Sequence, residues 1–356
     1  MAQSLKIDPA ERARNFNKAT RQYKQVVASK TGAVSTVVSF EVPKSRLLAG
    51  LFVEVKATLN AIHASATTYT PHEDAPFNFI DRLQVDMNNG FMPYNISGES
   101  LYMHNISNRG ADTMAIARSG RGSVVQGNVS SASTGTDNVV RIFAKLPLSV
   151  NERDPIGLVM MNADDILCNV NVTLGALADL APAASGYTFA VSAITVTLYS
   201  ETFSIPSIAE AVPDISVVKL VNEKTESIIA GENTIKLPAS NIYRKIGFSL
   251  RNATPARVAE TGITGTIDLI LDQTDYPYRF NTTELAAINN EVYRGDLPNG
   301  TYIIDFASLS QLINLAGGRD YIDTDGVTEY WLKFTSAAAG TLQIWYETLA
   351  TVQLEG

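Results

Sequence analysis

The chain is poor in the residues that most often carry chemistry or covalent order. Of 356 residues only Cys168 is a cysteine, so no intrachain disulfide can form and a small disulfide-stapled scaffold is excluded. The fold must hold by packing. Charged residues make up 18%, against roughly 25% in typical soluble chains. Together with 45% hydrophobic residues, this excludes disorder and points to surface spent on contacts. No run of about 18 apolar residues is available to span a bilayer. Met1 to Asp8 lack the apolar segment of a secretory signal, so synthesis and folding in a cytoplasm are expected. The three histidines, His63, His72 and His104, show no paired zinc spacing. No Gly-x-Ser-x-Gly elbow, Walker loop or Gly-x-Gly-x-x-Gly turn occurs, and Gly120, Arg121 and Gly122 form only a basic turn. The sequence therefore assigns no catalytic residue, no metal ligand and no cofactor, and the chain is expected not to be an enzyme.

What is present is length, alternation and an uneven charge. A chain of this size exceeds what one hydrophobic core usually organises, so two domains are expected. The net charge of -8 and a pI near 5.0 have the wrong sign for a protein that embraces nucleic acid, so no direct nucleic-acid partner is expected. Residues 1–30 nevertheless carry +5, with Lys6, Arg12, Arg14, Lys18, Arg21, Lys24 and Lys30 against Asp8 and Glu11, which leaves -13 for the remainder. Asp8 as cap, Pro9 in the first turn and Glu11 three residues after the cap predict a helix from about Pro9 to Ala28. At about 100 degrees per residue, Ala13, Phe16, Tyr23 and Val27 share a side, Arg14, Lys18 and Arg21 fall away from it, and Lys24 lies at the border.

After Ser29 the helical period gives way to alternation, and the body reads as all-β. Strands are predicted at Ala33–Val42, Gly50–Leu59, Val139–Leu146, Ile166–Leu174, Tyr187–Tyr199, Lys245–Arg251, Thr264–Leu271, Gly300–Phe306, Thr328–Phe334 and Thr341–Val352. In the clearest of them Ile166, Cys168, Val170, Val172 and Leu174 share one face, which makes Cys168 a core side chain. Pro206 and Pro213 break the alternation near the middle of the chain and mark a boundary. Residues 119–136 read as a long surface loop. Each half holds one short helix, around Glu99–Ile106 and around Thr283–Tyr293, the second with Thr282 or Thr283 near its start and Glu284 in its first turn. The similar grammar suggests a duplicated architecture without a residue-level repeat.

Two constellations invite chemical readings. Asp320, Asp323, Asp325 and Gly326 suggest a calcium loop, but the alignment puts Tyr321 at the first ligand position and Leu332 where the bidentate glutamate belongs, so a solvated acidic turn is the better reading. Asp272, Asp275, Tyr276, Tyr278 and Phe280 could be drawn as a sugar site, yet alternate-position aromatics on a strand more often pack across strands. Trp331 and Trp345 read as core anchors.

Two further segments carry a resemblance. Pro147, Leu148, Glu152, Asp154, Gly157, Val159 and Asn162, followed by the strand at Ile166, resemble the corresponding stretch of tectivirus major capsid proteins. The helix from Thr283 followed by Asp296, Leu297, Pro298, Asn299, Gly300, Thr301 and Tyr302 resembles that family's helix and its acidic-apolar-Pro-x-Gly-x-Tyr entry into a strand. Gly50 to Asn60 is a weaker third match, and the order and spacing of all three extend the likeness over most of the chain. The version from tectiviruses of Bacillus-type hosts is the most similar, while chain length and residues 119–136 depart from the pattern.

The resemblance implies an all-β double jelly roll, two eight-stranded sandwiches in one chain with an N-terminal α-helix and short helices in loops. Along the chain it implies a basic helix at 1–30, a first roll at 31–203, a linker at 204–217 and a second roll at 218–356. It further implies a structural major capsid protein, three copies forming a pseudo-hexagonal capsomer that tiles an icosahedral shell over an internal membrane. The partners implied are the chain itself as a homotrimer, neighbouring capsomers, penton and minor capsid proteins and the viral membrane surface. The localisation implied is the virion capsid, after synthesis in the host bacterial cytoplasm. Arg12, Arg14, Lys18, Arg21 and Lys24 would then face the membrane or capsid interior, since cations near an anionic bilayer contribute on the order of 1 kcal/mol each before screening. The rivals are a two-domain β-sandwich carbohydrate-binding protein or glycoside hydrolase, and a phage adhesin.

Overall fold

The computed structural model describes all residues except 1–8, 70–74, 89, 115, 118–123, 126–128, 151–155, 162–165, 214, 216, 253–256, 308–320 and 352–356. The described chain divides into two compact units. The first comprises residues 1–95, 116–220 and 350–356, and the second comprises 96–115 and 221–349.

Sixteen strands of five or more residues carry the fold among the described residues. The first eight are β1 (Gln22–Thr31), β2 (Val37–Glu41), β3 (Leu47–His63), β4 (Ile80–Met87), β5 (Phe91–Ile96), β6 (Thr136–Pro147), β7 (Cys168–Leu174) and β8 (Tyr187–Phe203). They pair in the orders β1-β8-β3-β6 and β5-β4-β7-β2. The second eight are β9 (Val217–Ile228), β10 (Gly231–Lys236), β11 (Ile242–Asn252), β12 (Ile263–Leu271), β13 (Asp275–Asn281), β14 (Thr301–Asp305), β15 (Tyr330–Ser336) and β16 (Gly340–Thr351). Their orders are β9-β16-β11-β14 and β10-β15-β12-β13. Counted within each set of eight, both units read 1-8-3-6 and 2-7-4-5, the pairing of a jelly roll. The chain is a double jelly roll, and the duplication lies in topology rather than in residues.

Alternation explains the pairing. In β3, Leu51, Val53, Val55 and Leu59 are fully buried while Phe52, Lys56 and Thr58 take the other face. β6 and β8 flank β3 in antiparallel register, Ile142 opposite Val55 and Leu198 opposite Val53, so three aliphatic rows coincide. Cys168 is buried in β7 as expected, and burial, with Asp86 nearby, pushes its thiol up to about 12.

The N-terminal helix is shorter than its sequence suggested. α1 spans Pro9–Ala19, and residues expected in its second half form β1. Thr20 closes the helix, its amide and hydroxyl both donating to the Phe16 carbonyl. Beyond it, Gln22 to Thr31 pair with β8, satisfying backbone groups that an isolated helix end would leave to water. The expected cap, Asp8, lies outside the described residues.

The two short helices are present at α2 (Gly98–Arg109) and α3 (Thr282–Tyr293). Both occupy the connection between the fifth and sixth strands of a set, α2 between β5 and β6, α3 between β13 and β14. α3 begins at Thr282, as expected, with Asn281 as its cap: the Asn281 side chain accepts from the Glu284 amide at 2.8 Å and the Glu284 carboxylate accepts from the Asn281 amide at 3.0 Å. α2, expected in the first half by its place in the sequence, belongs to the second compact unit. Within residues 119–136 the structure finds short pairings rather than an uninterrupted loop, with Val124–Val125 against β6 and Val129–Ser131 against Thr67–Tyr69, while Gly120, Arg121 and Gly122 lie outside the described residues.

Candidate functional site

Charge is concentrated in two places, and they differ in kind. The first is the N-terminal end of the first unit. α1 buries Phe16 against Leu47, Ala49 and Leu158, with the Phe203 ring edge-on at 5.2 Å. Arg14 and Lys18 stand two residues either side of Phe16, about 200 degrees round the helix, and both are exposed. Arg12 lies nearer the packed side and is half-buried. Arg21 follows the helix in the connector, its amide donating to Ser204 Oγ at 2.9 Å and its carbonyl accepting from the Ser204 amide at 3.0 Å. Among the described residues, no carboxylate lies within 4 Å of Arg12, Arg14, Lys18 or Arg21.

Lys24 is different, and here the sequence reading is corrected. It sits in β1 opposite Glu201, and its ammonium lies 3.0 Å from that carboxylate, which Lys145 approaches at 3.7 Å from the other side and to which Gln22 also donates. A few positions along the same sheet face Glu54, 2% exposed, is held by Arg141 at 2.7 Å, Lys56 at 3.3 Å and the Tyr199 hydroxyl at 2.9 Å. Burial pushes the Glu54 carboxyl up, but Tyr199, Lys56 and Arg141 outweigh it and hold the group below the usual carboxylate range. The first unit thus neutralises Lys24, Lys56, Arg141 and Lys145 on its sheet face and leaves the cations of α1 and its connector without a carboxylate among the described residues.

The second concentration lies inside the second unit, where it seats α2 and α3. Ser97, the cap of α2, donates its amide and hydroxyl to Glu223 at 2.8 and 2.7 Å. Glu99 accepts from Ser249 at 2.7 Å and from Arg251 Nη2 at 2.6 Å, and faces Arg257 at 3.2 Å. About one and a half turns on, His104 Nε2 meets Glu347 at 2.8 Å, both side chains fully buried, with Arg244 3.3 Å from the same carboxylate. Lys245 donates to the Ser107 carbonyl at 2.8 Å and to Asn108 Oδ1 at 3.1 Å, and Asp305 lies 3.8 Å away, itself accepting from Tyr293 on α3 at 2.8 Å. Such pairs are tolerated in a dry interior only when every partner is present. The network therefore fixes helices against strands. No group of three or more His, Cys, Asp or Glu is placed to hold a metal among the described residues.

Sequence reasoning missed this network because the partners of Glu99 and His104 on α2, among them Arg244, Lys245, Arg251 and Glu347, sit on strands distant in sequence and largely buried. In β11, Tyr243 to Leu250 are buried almost without a break, since one face meets the core and the other meets α2. The local signal was Gly247, where any Cβ would stand 2.2 Å from the Trp345 ring, so the indole crosses β11 at glycine only. Trp345 is the core anchor expected, whereas Trp331 is half-buried on the opposite face of β15.

The remaining motif residues have structural places. Leu148 is fully buried and the Pro147 carbonyl accepts from Tyr94 at 2.7 Å. Gly157 has φ +79° with the Val217 carbonyl 3.0 Å from a Cβ position, and Gly300 has φ +67° with the Val258 carbonyl 2.1 Å away, so both positions require glycine. The Thr301 amide donates to the Pro298 carbonyl, turning the chain so that Tyr302 enters the core beside Phe248. Glu152, Asp154, Asn162, Asp320 and His72 lie outside the described residues. Asp323 accepts from the Asp325 amide in a tight turn, and Asp272 is occupied by the Thr328 hydroxyl and the Thr328 and Glu329 amides, which hold its carboxyl below the usual range. Tyr278 and Phe280 pack on the core, as cross-strand aromatics do.

No protein-family model and no curated protein matches the chain. Solved structures do. The STIV MCP superposes with a TM-score of 0.69 at 15% identity, covering 93% of this chain and 97% of that one. The major capsid protein P2 from bacteriophage PM2 gives 0.56 at 11% identity over 94% and 100%. The Faustovirus major capsid protein gives 0.59 at 9% identity over 94% and 90%. At such identities the likeness establishes a shared fold, the double jelly roll, across both units.

Proposed function

We propose that this chain is the major capsid protein of a tailless bacteriophage of the tectivirus kind, with Bacillus-type hosts. Three copies form a pseudo-hexagonal capsomer, and capsomers tile an icosahedral shell over an internal membrane. The observation that carries this reading is the repeated 1-8-3-6 and 2-7-4-5 strand order, in a fold shared end to end with viral major capsid proteins. Two rolls per chain and three chains supply six similar blocks, which tile as a hexagon does. The low charge content suits a molecule much of whose surface meets copies of itself, neighbouring capsomers, and penton and minor capsid proteins. Along the chain the first roll runs from β1 at Gln22, rather than from residue 31, to β8 at Phe203, and the second from β9 at Val217 to β16 at Thr351, with α2 grouped in the second unit. The protein acts in the virion after synthesis in the bacterial cytoplasm, has a structural role rather than an enzymatic one, and makes no direct nucleic-acid contact. Arg12, Arg14, Lys18 and Arg21 face the membrane, where their open charge is complementary to anionic headgroups.

Native mass and electron microscopy test the reading together. A species of about 115 kDa, three times the 38.4 kDa chain, with flat hexagonal outlines is expected. A monomer, or an elongated trimer without hexagonal outline, overturns it.

A further inference from the structure

In the first unit β3 and β8 run side by side for their whole length, with Phe203 opposite Leu47 at one end and Tyr187 opposite His63 at the other, roughly 50 Å away. α1 packs at the Phe203 end. The chain that leaves β8 there is stitched to the helix exit by the two Arg21–Ser204 hydrogen bonds, and continues through Ile205, Pro206 and Ile208 to Ala211, whose amide donates to the Ile208 carbonyl. Pro206 and Ala211 turn inward and are buried, whereas Ile205 is 41% exposed and Ile208 47%. Exposed isoleucines are individually unremarkable. These two differ because they share one end of the unit with Arg14, Lys18 and Arg21, exposed cations with no carboxylate partner among the described residues. Elsewhere in the same unit Glu201 serves Lys24 and Lys145, Glu54 serves Lys56 and Arg141, and neutral groups hold others, the Ser39 carbonyl for Lys30 and Gln25 with the Tyr23 ring for Arg46.

We propose that Ile205 and Ile208 are apolar anchors that enter the headgroup and acyl boundary of an anionic bilayer, while Arg14, Lys18 and Arg21 bind its phosphates. This rests on the reading of the chain as a shell protein over a membrane and names the residues that make the contact. The division of labour follows from the chemistry. Cations draw the protein to a negative surface over a Debye length and are screened by salt, whereas side chains of this size gain their free energy only by leaving water, which salt does not screen. The two isoleucines flank a proline, which fixes the backbone between them and limits the ordering that insertion requires.

Flotation of the full-length protein with vesicles of phosphatidylcholine and phosphatidylglycerol, against phosphatidylcholine alone, tests the proposal at low and high salt. The double variant Ile205→Ser, Ile208→Ser is expected to lose about tenfold or more in binding to anionic vesicles, with its remaining binding abolished by salt. The triple variant Arg14→Gln, Lys18→Gln, Arg21→Gln is expected to bind weakly and equally at both salt concentrations. Equal binding by the isoleucine variant and the unaltered protein overturns the proposal, as does a lack of binding by the unaltered protein. Ile208→Cys carrying a polarity-sensitive fluorophore gives a second readout, since the other thiol, Cys168, is buried. Its emission is expected to shift to the blue on vesicles, and an unchanged spectrum also refutes insertion. Hexagonal trimers that fail these tests leave the capsid reading standing. Vesicle binding without trimers removes the capsid reading and leaves a lipid-binding surface.

Discussion

The two jelly rolls have one strand order and two different interiors. The first is mainly aliphatic where its sheets face each other, with Leu51, Val53, Val55, Val140, Ile142, Val196 and Leu198 on one sheet and Leu83, Val85, Val170 and Val172 on the other, although it also buries Phe40, Phe77, Phe79 and Tyr94. The second packs Tyr243, Phe248, Tyr302, Tyr330 and Phe334 among its leucines and isoleucines, and adds the buried charges of Glu99, His104, Lys245, Arg257 and Glu347. What the rolls share is period and pairing, so alternation specifies the topology while composition is free to vary. The charges mark where the second roll needs more than a sandwich core, because its strand β11 is covered on its outer side by a helix supplied from another part of the chain.

Two spectroscopic handles separate the units. Both tryptophans, Trp331 and Trp345, lie in the second, and the single cysteine lies in the first. The largest effect is expected from Glu347→Ala, which strands His104 and Arg244 in a dry interior at a cost of about 3–5 kcal/mol. The tryptophan transition in denaturant should move by that amount while Cys168 labelling moves less, and equal shifts would show that the interiors are not separable. Leu198→Ala should cost about 3 kcal/mol in the first unit through the cavity it leaves, with labelling of Cys168 accelerated and the loss unchanged by salt. Glu54→Gln should cost about 1–2 kcal/mol by weakening its bonds to Arg141 and Tyr199.

The same comparison extends to pH. Glu54 titrates lower in the folded protein than in the unfolded chain, so its contribution is complete above the ordinary carboxylate range and fades as pH falls through the folded value. Acid melts of Glu54→Gln should lack that part of the decline. Both units carry part of the alkaline limb, the first through the buried Cys168 thiol and the second through its phenols. Burial raises the phenols of Tyr243, Tyr293, Tyr302 and Tyr330, so the stability they hold is complete below about pH 10 and is lost as pH rises towards the folded values. The buried Cys168 thiol gives the first unit an alkaline limb of its own, so an alkaline melt of Cys168→Ala should lack that part while the tryptophan transition in base is retained. The smallest expected effect is Asn281→Ala, about 1 kcal/mol from the lost capping box of α3, again read by tryptophan.

Much of this was legible in the sequence where one face of a strand meets water. Cys168 to Leu174 alternate without exception because β7 has a wet outer face, and the expected strand agrees with the observed one within two residues. β9 escaped notice because Asn222 to Ser227 are polar on both faces, and β1 because its residues also suit a helix, the pairing with β8 deciding the matter. Of the candidate site residues, Arg14 and Lys18 were legible from helical period alone. Lys24 was not, because the chain leaves the helix before reaching it and Glu201 is distant in sequence. Ile205 and Ile208 carried no signal, since exposure in an irregular segment has no period to betray it.

The seat of α2 has a consequence for synthesis. His104 and Glu347 are 243 residues apart, so at 5–20 residues per second the helix leaves the ribosome roughly 10–50 s before the strand that completes its socket. Strands β1 to β8 can emerge and pair while this segment, with its glutamate, histidine and amides, still lacks the arginines, lysine and carboxylate that will enclose it. A gene cut between residues 204 and 217 would therefore yield a front fragment with a homeless helix and a rear fragment with an empty charged groove. Mixing the two should restore the tryptophan signal that neither restores alone.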